Sequence, residues 1–221
     1  DKLIGDVFLL ADALGISSFT IVGHDWGGAI AWGVALSGQH SRVNKAVIAN
    51  APHPAIFQKL LYTDPEQRRA SQYINAFRDP KNDQLVREEG LTSLLQSSVN
   101  WDKSSKMEDD ERAALLKDWE NIDAAFGMLN YYRASQMTVP TMDEPFVLPD
   151  NFKTPDLPKL TIPTLVIWAL DDLALLPQNL NGLDELVEPL TLVEVANCGH
   201  FVPWEAPSAT NQAMENFLLT E

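Results

Sequence analysis

A glycine-rich turn, Gly-His-Asp-Trp-Gly-Gly at residues 23–28, joins a β-branched run to a stretch of small apolar residues. The run at 19–23 is typical of a short strand, and the small residues at 27–37 suit a helix that packs closely on a sheet. A second strand is predicted at 43–49, after this one helix, as in a right-handed parallel crossover. The chain is therefore expected to have an α/β fold with a mostly parallel sheet and flanking helices.

The residue at the centre of the turn is Asp25. A nucleophile raised on a tight strand-to-helix turn needs small residues two places before and two places after it, because larger side chains would collide there. Gly23 and Gly27 meet this requirement. The alternative is an ordinary turn in which a carboxylate at the start of a helix is stabilised by the helix dipole.

The middle of the chain differs in pattern from its two ends. Amphipathic helical stretches dominate from 54 to about 139, and six prolines between 140 and 163 favour an extended path. Beyond them, strands are predicted at 164–169 and 190–195, and a closing helix at 206–219. The pattern indicates a core that is interrupted by a helical insertion.

We therefore expect three parts. Residues 1–53 and 151–221 form the two halves of the core, and residues 54–150 form a helical lid. A helix that ends near Gly15 opens the chain, because apolar residues recur at helical spacing before this glycine. A short helix is also predicted at 178–187.

Composition excludes several classes of function. Sixteen Lys and Arg against thirty-one Asp and Glu give a net charge of −15, and this negative field repels nucleic-acid phosphates and anionic lipid headgroups. No apolar stretch approaches the roughly 20 residues that span a bilayer. The single Cys198 excludes an intrachain disulfide. We expect a cytoplasmic protein that binds neither nucleic acid nor a membrane.

Polar residues follow the last two predicted strands. Asp171 and Asp172 come directly after the third strand, and His200 follows the fourth. Because the carboxyl ends of parallel strands meet at one edge of a sheet, we expect these residues to lie near Asp25. Nucleophile, acid and histidine would then occur in the chain order of the α/β-hydrolase triad.

The motifs Gly-His-Asp-Trp-Gly-Gly, Leu-Asp-Asp and Cys-Gly-His-Phe-Val-Pro-Trp-Glu-Ala-Pro together resemble the nucleophile elbow, acid turn and histidine loop of α/β-hydrolase fold enzymes. Within that fold they are similar to epoxide hydrolases and haloalkane dehalogenases. The resemblance implies Asp25 as the nucleophile and His200 as the histidine of the triad. It selects Asp172 as the acid, three places after Ala169. Some dehalogenases carry the acid after the earlier strand, but residues 50–53 contain no carboxylate here.

An aspartate nucleophile predicts a particular reaction. It is ionised at neutral pH and attacks without a base, and its natural electrophile is a saturated carbon that bears a leaving group. Water must then hydrolyse the alkyl-enzyme ester, with His200 as the base and Asp172 as its orienting partner. The backbone N–H of Trp26 is expected to be one donor of the oxyanion hole. This chemistry needs neither a metal nor an organic cofactor.

Two tyrosines of the predicted lid favour an epoxide over a halide. An opening epoxide gives an alkoxide that needs a proton donor, whereas a departing halide needs only N–H groups. Tyr73 and Tyr132 resemble the two lid tyrosines of epoxide hydrolases, and both phenols would donate to the epoxide oxygen. The alternative is that each tyrosine only buries its ring in a lid helix. The expected substrates are water and a small apolar epoxide, and the product is a vicinal diol.

The remaining aromatic residues and histidines are interpreted as structural. Tyr62 and Tyr131 are assigned to packing or to the surface, and His24 and His53 to support of the turn and of the cavity wall. Three aromatic residues are expected to hold the lid together: Trp101, Trp119 and Phe126.

Two other functions stay open. A haloalkane or haloacetate dehalogenase would use the same Asp25, His200 and Asp172. A non-catalytic relative that acts by association is the alternative of another class, since no strand is predicted before the opening helix. No His-Gly loop for a second oxyanion donor is found either. We expect a truncated hydrolase whose open sheet edge favours aggregation and whose turnover is lowered by roughly 10²–10³-fold.

Overall fold

Parallel strands and helices make up most of the structure, a computed structural model that describes residues 2–99, 108–153 and 157–219. The strands of the described residues form one sheet in the order of the sequence, and each pairs in parallel with the next. They are β1 (Phe19–His24), β2 (Val43–Ala49), β3 (Thr164–Ala169) and β4 (Leu190–Val195). The predicted α/β fold with a parallel sheet is confirmed, and the carboxyl ends of all these strands lie at one edge.

Helices lie before, between and after the strands. Before β3 they are α1 (Lys2–Ala13), α2 (Trp26–Ala35), α3 (Pro54–Thr63), α4 (Pro65–Ala70), α5 (Gln72–Arg78), α6 (Asn82–Glu89), α7 (Leu91–Val99), α8 (Asp109–Trp119) and α9 (Ile122–Ala134). After β3 they are a 3-10 helix (Pro177–Leu180), α10 (Leu183–Leu186), α11 (Val202–Glu205) and α12 (Pro207–Leu218). None of these helices is long and apolar enough to cross a membrane.

Helices cover both faces of the sheet. Alternate residues of the central strands point to opposite faces and pack against these helices. Ile48 and Val166 pack in the same core cluster as Trp32 of α2. Val47 and Leu165 pack in a second cluster that includes Ala213 of α12. Burial on both sides explains why residues 46–49 of β2 and 165–169 of β3 are continuous apolar runs in the sequence.

The insertion between β2 and β3 has a hydrophobic core of its own. Helices α5, α6, α7 and α9 contribute buried side chains to it: Phe77, Val86, Leu91, Leu94, Ala125 and Leu129. Trp119 and Phe126 pack against this cluster, as predicted, whereas Trp101 lies outside the described residues. The insertion therefore forms a packed layer over the carboxyl edge of the sheet rather than a loose loop.

The chain returns from the insertion to the sheet without helix or strand in the described parts of 135–163, apart from one isolated bridge at Leu160. Arg68 holds the beginning of this path. Its guanidinium is fully buried and donates to five backbone carbonyls, those of Leu61, Tyr62, Thr141, Glu144 and Pro145. Hydrogen bonds from one cation thus replace the regular structure that the prolines prevent.

One predicted helix is divided in two, and the closing helix is observed within one residue of its predicted bounds. The helix predicted at 178–187 is a 3-10 turn followed by α10, because Gly182 has a φ of 77° and the chain bends there. The closing helix predicted at 206–219 begins at Pro207, after the separate short helix α11. Proline favours the first turn of a helix, since its missing N–H has no partner there in any case.

Strand β1 forms one edge of the described sheet and pairs with β2 alone. Val22 in this strand is 53% exposed, and Leu9, Leu10 and Leu14 near it in sequence are more than 60% exposed. The prediction that the strand before Asp25 has one open edge therefore agrees with the described residues.

Candidate active site

Asp25 lies at the sharp turn between β1 and α2. Its φ of 52° and ψ of −122° place a non-glycine residue in a region that L-residues rarely adopt. A Cβ at Gly23 would collide with the carbonyl of Gly27, and one at Gly28 would collide with the Cβ of Ala51. At Gly27 a Cβ would meet no atom within 4 Å beyond its chain neighbours and its own helix backbone, so alanine would also fit at this position. Gly23 and Gly28 are the positions that need glycine.

His200 joins two carboxylates that come from different strands. Its Nδ1 lies 2.7 Å from Oδ2 of Asp172, and its Nε2 lies 3.3 Å from Oδ1 of Asp25. The three side chains follow β1, β3 and β4 at the carboxyl edge of the sheet. Asp171, the other carboxylate of the same turn, is exposed and points away from this arrangement. The structure therefore brings together the nucleophile, acid and histidine candidates.

Asp172 is held by more than the histidine. Its Oδ1 accepts the backbone N–H groups of Ala174 and Leu175, and its Oδ2 accepts the side-chain amide of Asn50 at 2.7 Å. Asn50 in turn accepts the backbone N–H of Ala169 and is fully buried. Reasoning from the sequence assigned no role to Asn50, although its position directly after β2, at the same sheet edge, was the available signal.

The two carboxylates set the charge of the histidine. Burial alone would lower the pKa of His200, but its hydrogen bonds to Asp172 and Asp25 outweigh this and raise the pKa to about 10. Burial likewise acts to raise the pKa of Asp25, and the bond to His200 reverses the effect so that the pKa is lowered. At neutral pH the site therefore holds an imidazolium beside the ionised carboxylate of Asp25, and the other ring nitrogen is bonded to Asp172.

His24 and His53 support the site without facing the nucleophile. The Nε2 of His24 lies 2.8 Å from the backbone carbonyl of His200, and burial together with the charge of His200 lowers the pKa of His24. Nε2 of this neutral ring donates to the carbonyl and fixes the histidine loop. His53 is buried, accepts the N–H of Ala55 and stacks edge-on against Trp32. Burial lowers the pKa of His53 to about 4.

Tyr73 of α5 and Tyr132 of α9 lie together beside Asp25. Their ring centroids are 5.9 Å apart, and Tyr132 packs edge-on against Trp26 at 5.2 Å. Burial, the neighbouring phenol and the charge of Asp25 raise the pKa of Tyr73 well above its usual value, and burial followed by Asp25 raises that of Tyr132. Both phenols therefore keep their protons at any physiological pH and can act as donors.

The backbone N–H of Trp26, the first residue of α2, contributes to the lowered pKa of the Asp25 carboxyl group. A helix N-terminus directs its free N–H groups and the positive end of its dipole toward such a group. An oxyanion that develops on the carboxyl group of Asp25 would find this donor in place. Trp26 thus has the position that an oxyanion-hole donor requires.

Two cavities open at these residues, with volumes of about 350 Å³ and about 570 Å³. Both are lined by Asp25, Trp26, Tyr73 and Tyr132. We call the smaller one the proline lobe, whose further lining includes Pro52, Pro54, Phe57, Gln58, Ser135 and Met137. We call the larger one the histidine lobe, whose further lining includes His200, Leu91, Leu95, Leu115, Trp119 and Met128.

Three aromatic residues are placed partly as predicted. Tyr62 packs against Phe152 and has a structural position. Tyr131 and Trp119, interpreted from sequence as packing residues, also line the histidine lobe. Since Tyr131 is 39% exposed and contacts Trp26, it belongs to the wall of the site as well as to the surface.

Two arginines fasten the tyrosine-bearing helices to each other. Arg78 at the end of α5 donates to the carbonyls of Tyr132, Ser135 and Met137 at the end of α9. Arg133 of α9 donates to the carbonyl of Phe77 in α5 and to the carboxylate of Asp83. These reciprocal bonds, which we call the arginine clamp, fix the spacing between the two phenols.

Comparison with known proteins agrees with this fold. Residues 6–207 match the family model described as the alpha/beta hydrolase fold, which is the class of hydrolase that the parallel sheet and the turn at Asp25 define. A solved structure of the novel epoxide hydrolases of this superfamily, found in metagenomes from hot environments, is 72% identical with a TM-score of 0.94. The superposition covers 99% of this chain and 73% of that one. The chain therefore belongs to the α/β-hydrolase fold family, as an epoxide hydrolase-like member.

More distant relatives are also named as epoxide hydrolases. A Bacillus megaterium epoxide hydrolase, solved in complex with its diol product, is 28% identical with a TM-score of 0.80, over 98% of this chain and 75% of that one. Epoxide hydrolase 1 of Caenorhabditis elegans is 26% identical over 99% of this chain and 52% of that protein. Human epoxide hydrolase 4 is also 26% identical, over the whole chain and 59% of that protein. The chain thus spans about half to three-fifths of the length of these curated relatives.

Proposed function

We propose that the protein hydrolyses epoxides to vicinal diols through a covalent ester on Asp25. The observation that carries this proposal is that Asp25, which contacts His200, lines the same two cavities as two protonated phenols. Nucleophile and proton donors therefore meet around one space. The epoxide hydrolases among the relatives support the same reaction.

In the first step, a carboxylate oxygen of Asp25 attacks one carbon of the epoxide ring. The C–O bond of that carbon breaks, and the ring oxygen takes a proton from Tyr73 or Tyr132. The products are an alkyl ester on Asp25, a hydroxyl group on the neighbouring carbon and one tyrosinate. A halide leaving group would need no such proton, which is why the two buried phenols favour the epoxide.

In the second step, water hydrolyses the ester. Esterification removes the negative charge of Asp25, so the pKa of His200 falls, its proton passes to solvent, and the neutral imidazole can accept a proton from water. Hydroxide adds to the ester carbonyl, and the oxyanion is stabilised by the N–H of Trp26. Collapse expels the second diol oxygen, which takes the proton from His200. The other water proton, left on the regenerated carboxyl group of Asp25, passes to the tyrosinate and restores the phenol. The returned charge of Asp25 raises the pKa of His200 again, and the imidazole takes up a proton from solvent, which restores the resting state.

Covalent trapping tests the first step. The His200→Gln variant lacks the base and should accumulate the ester, so incubation with styrene oxide should add one substrate mass to the intact protein. Peptide mapping should locate the adduct on Asp25, and the Asp25→Asn variant should carry none. An adduct elsewhere, or none in the His200→Gln variant, would contradict the mechanism. A non-catalytic relative that acts by association would form no adduct at all.

Replacement of the two phenols distinguishes epoxide hydrolysis from dehalogenation. The Tyr73→Phe, Tyr132→Phe double variant should form the ester from styrene oxide at least roughly 10²-fold more slowly, because no proton donor remains. Tyr62→Phe is the matched control, since Tyr62 packs against Phe152. A dehalogenase would give a different result. The double variant would convert a haloalkane at the unchanged rate and would lose little activity on the epoxide.

A further inference from the structure

The backbone on both sides of His200 is bound by the side chain of Glu205. Its Oε2 accepts the backbone N–H of Gly199 at 3.0 Å, and its Oε1 accepts that of Phe201 at 3.1 Å. These two N–H groups belong to the residues directly before and directly after His200. Both oxygens of one carboxylate are therefore used to fix the chain around the histidine.

Glu205 is itself firmly placed, because it ends the short helix α11. Val202 of this helix is fully buried in the core cluster that contains Leu165 of β3. The backbone carbonyl of Val202 also accepts the hydroxyl of Thr210 in α12 at 3.1 Å. From this position the carboxylate reaches back to the backbone N–H of the residue that caps the helix, as the glutamate of a capping box does. The backbone at His200 is thus fastened to the core under the sheet.

The backbone contacts decide where the imidazole points. Nδ1 of His200 lies 2.7 Å from Oδ2 of Asp172, which fixes one ring nitrogen. A ring that is held at one nitrogen can still swing the other unless its Cα is also fixed. Glu205 supplies that restraint at the two flanking N–H groups, and His24 adds a third contact at the carbonyl of His200. The direction of Nε2 therefore depends on the backbone as well as on Asp172.

The two steps of the proposed reaction make different demands on this restraint. In the resting site, Nε2 of His200 lies 3.3 Å from Oδ1 of Asp25, and this ion pair also directs the ring. Once Asp25 is an ester it carries no negative charge, and the ion pair is lost. The ring then depends on Asp172 and on its fixed backbone to keep Nε2 directed at the hydrolytic water. The contacts of Glu205 are therefore needed most in the second step.

We propose that Glu205 is a positioning residue for hydrolysis of the ester and acts on His200 through the backbone. The inference rests on the proposed function and adds a residue to its second step. Of the described residues, His200 and Phe201 line the histidine lobe, whereas Glu205 lines neither lobe. Glu205 thus acts without contact with the substrate, and attack by Asp25 does not require it.

Two substitutions at Glu205 weaken the restraint to different degrees. Glu205→Gln keeps the length of the side chain, but its amide has one oxygen in place of two and cannot bind both N–H groups as the carboxylate does. It also loses the charge that strengthens such hydrogen bonds. Glu205→Ala removes both contacts. Glu215→Gln, at an exposed position of α12, is the matched control.

Rapid chemical quench with intact-protein mass spectrometry follows the ester in time. With the protein in excess over styrene oxide, the rise of the adduct measures ester formation and its decay measures hydrolysis. Glu205→Gln should slow hydrolysis about tenfold and Glu205→Ala about thirtyfold or more, because a small misplacement of the base is costly. Ester formation should change by less than about threefold in both variants. Glu215→Gln should match the unmodified protein in both steps.

Thermal unfolding of each variant shows whether the fold is retained, and Glu205→Gln decides the question if Glu205→Ala does not fold. A folded Glu205→Gln protein with unchanged hydrolysis, or with both steps slowed by the same factor, would overturn the role of Glu205 and leave epoxide hydrolysis intact. Unfolding of both variants would show that Glu205 supports the fold as a whole and would overturn the role as well. If the unmodified protein formed no ester with styrene oxide, the proposed function would fail and this inference with it.

Discussion

At the scale of single residues, the charge balance around His200 links the chemistry of the site to the stability of the fold. Two carboxylates lie within 3.3 Å of one imidazole, one at each ring nitrogen. A cation between two anions stabilises the folded state for as long as the proton stays bound. His200 must lose this proton once Asp25 becomes an ester, so the reaction removes the positive charge that stabilises the folded site.

This arrangement predicts a pH-dependent stability. The pKa of His200 is about 10 in the folded protein, against roughly 6.5 for a histidine in an unfolded chain. Because the pKa is raised, the charged His200 contributes fully to the free energy of unfolding below about pH 6.5, and this contribution is lost as the pH rises toward about 10. Urea unfolding should therefore show that the free-energy difference between the unmodified protein and His200→Gln decreases over this range.

The control is His40→Gln, since His40 is exposed. Its free energy of unfolding should follow that of the unmodified protein across the same pH range. A difference between the unmodified protein and His200→Gln that stays constant from pH 6.5 to 10 would show that the histidine is not held as a cation by Asp25 and Asp172.

At the scale of elements, the spacing of the two phenols depends on α5 and α9 being held as a pair. The arginine clamp supplies bonds in both directions, and burial lowers the pKa of Arg78, which is partly enclosed among the carbonyls that it binds. The aromatic contacts of Tyr132 with Tyr73 and Phe77 add packing between the same helices. Loss of the clamp should therefore move one phenol relative to the other.

Arg78→Gln should slow ester formation by about tenfold to a hundredfold, because a small misplacement of a proton donor is costly. Hydrolysis of the ester depends on His200 and should change little. Stopped-flow fluorescence of Trp26, which contacts Tyr132, separates the two steps. Arg78→Lys keeps the charge but not the forked donor geometry and should be intermediate.

Lys117→Gln, at an exposed position of α8, is the control for loss of a lid cation. A purely structural role for Arg78 would lower the unfolding temperature and slow both steps alike. Selective loss of ester formation at an unchanged rate of hydrolysis is the result that the clamp predicts.

Regular elements could be predicted from the sequence, whereas contacts between distant parts of the chain could not. Strands and helices with strong periodicity were predicted within a few residues, and the resemblance to α/β-hydrolases, in which the acid lies three places after the end of the strand, selected Asp172. Asn50 was missed, because an asparagine after a strand has no distinctive pattern and its role depends on Asp172, which lies 122 positions away in the chain. The need for glycine at Gly28 was missed for the same reason, since only the fold shows that Ala51 approaches it.

At the scale of the whole molecule, the edge strand β1 leaves apolar surface exposed. Edge strand β1 exposes Val22, and Leu9, Leu10 and Leu14 near it in sequence are among the most exposed apolar side chains of the described residues. An edge strand also presents unpaired backbone N–H and C=O groups, which are a template for pairing with another chain. The acidic net charge of −15 opposes such association at low salt but is screened as ionic strength rises.

The 221-residue chain should therefore self-associate, and more strongly at 0.5 M than at 0.05 M salt. Val22→Lys places a charge in the middle of the edge strand and should reduce association, since a charged edge resists pairing. Leu219→Lys introduces the same charge at a side chain that is 81% exposed but lies far from the sheet in sequence. Light scattering as a function of protein concentration measures the effect. If both variants reduce association equally, net charge rather than the open edge controls it, and β1 is not the contact surface.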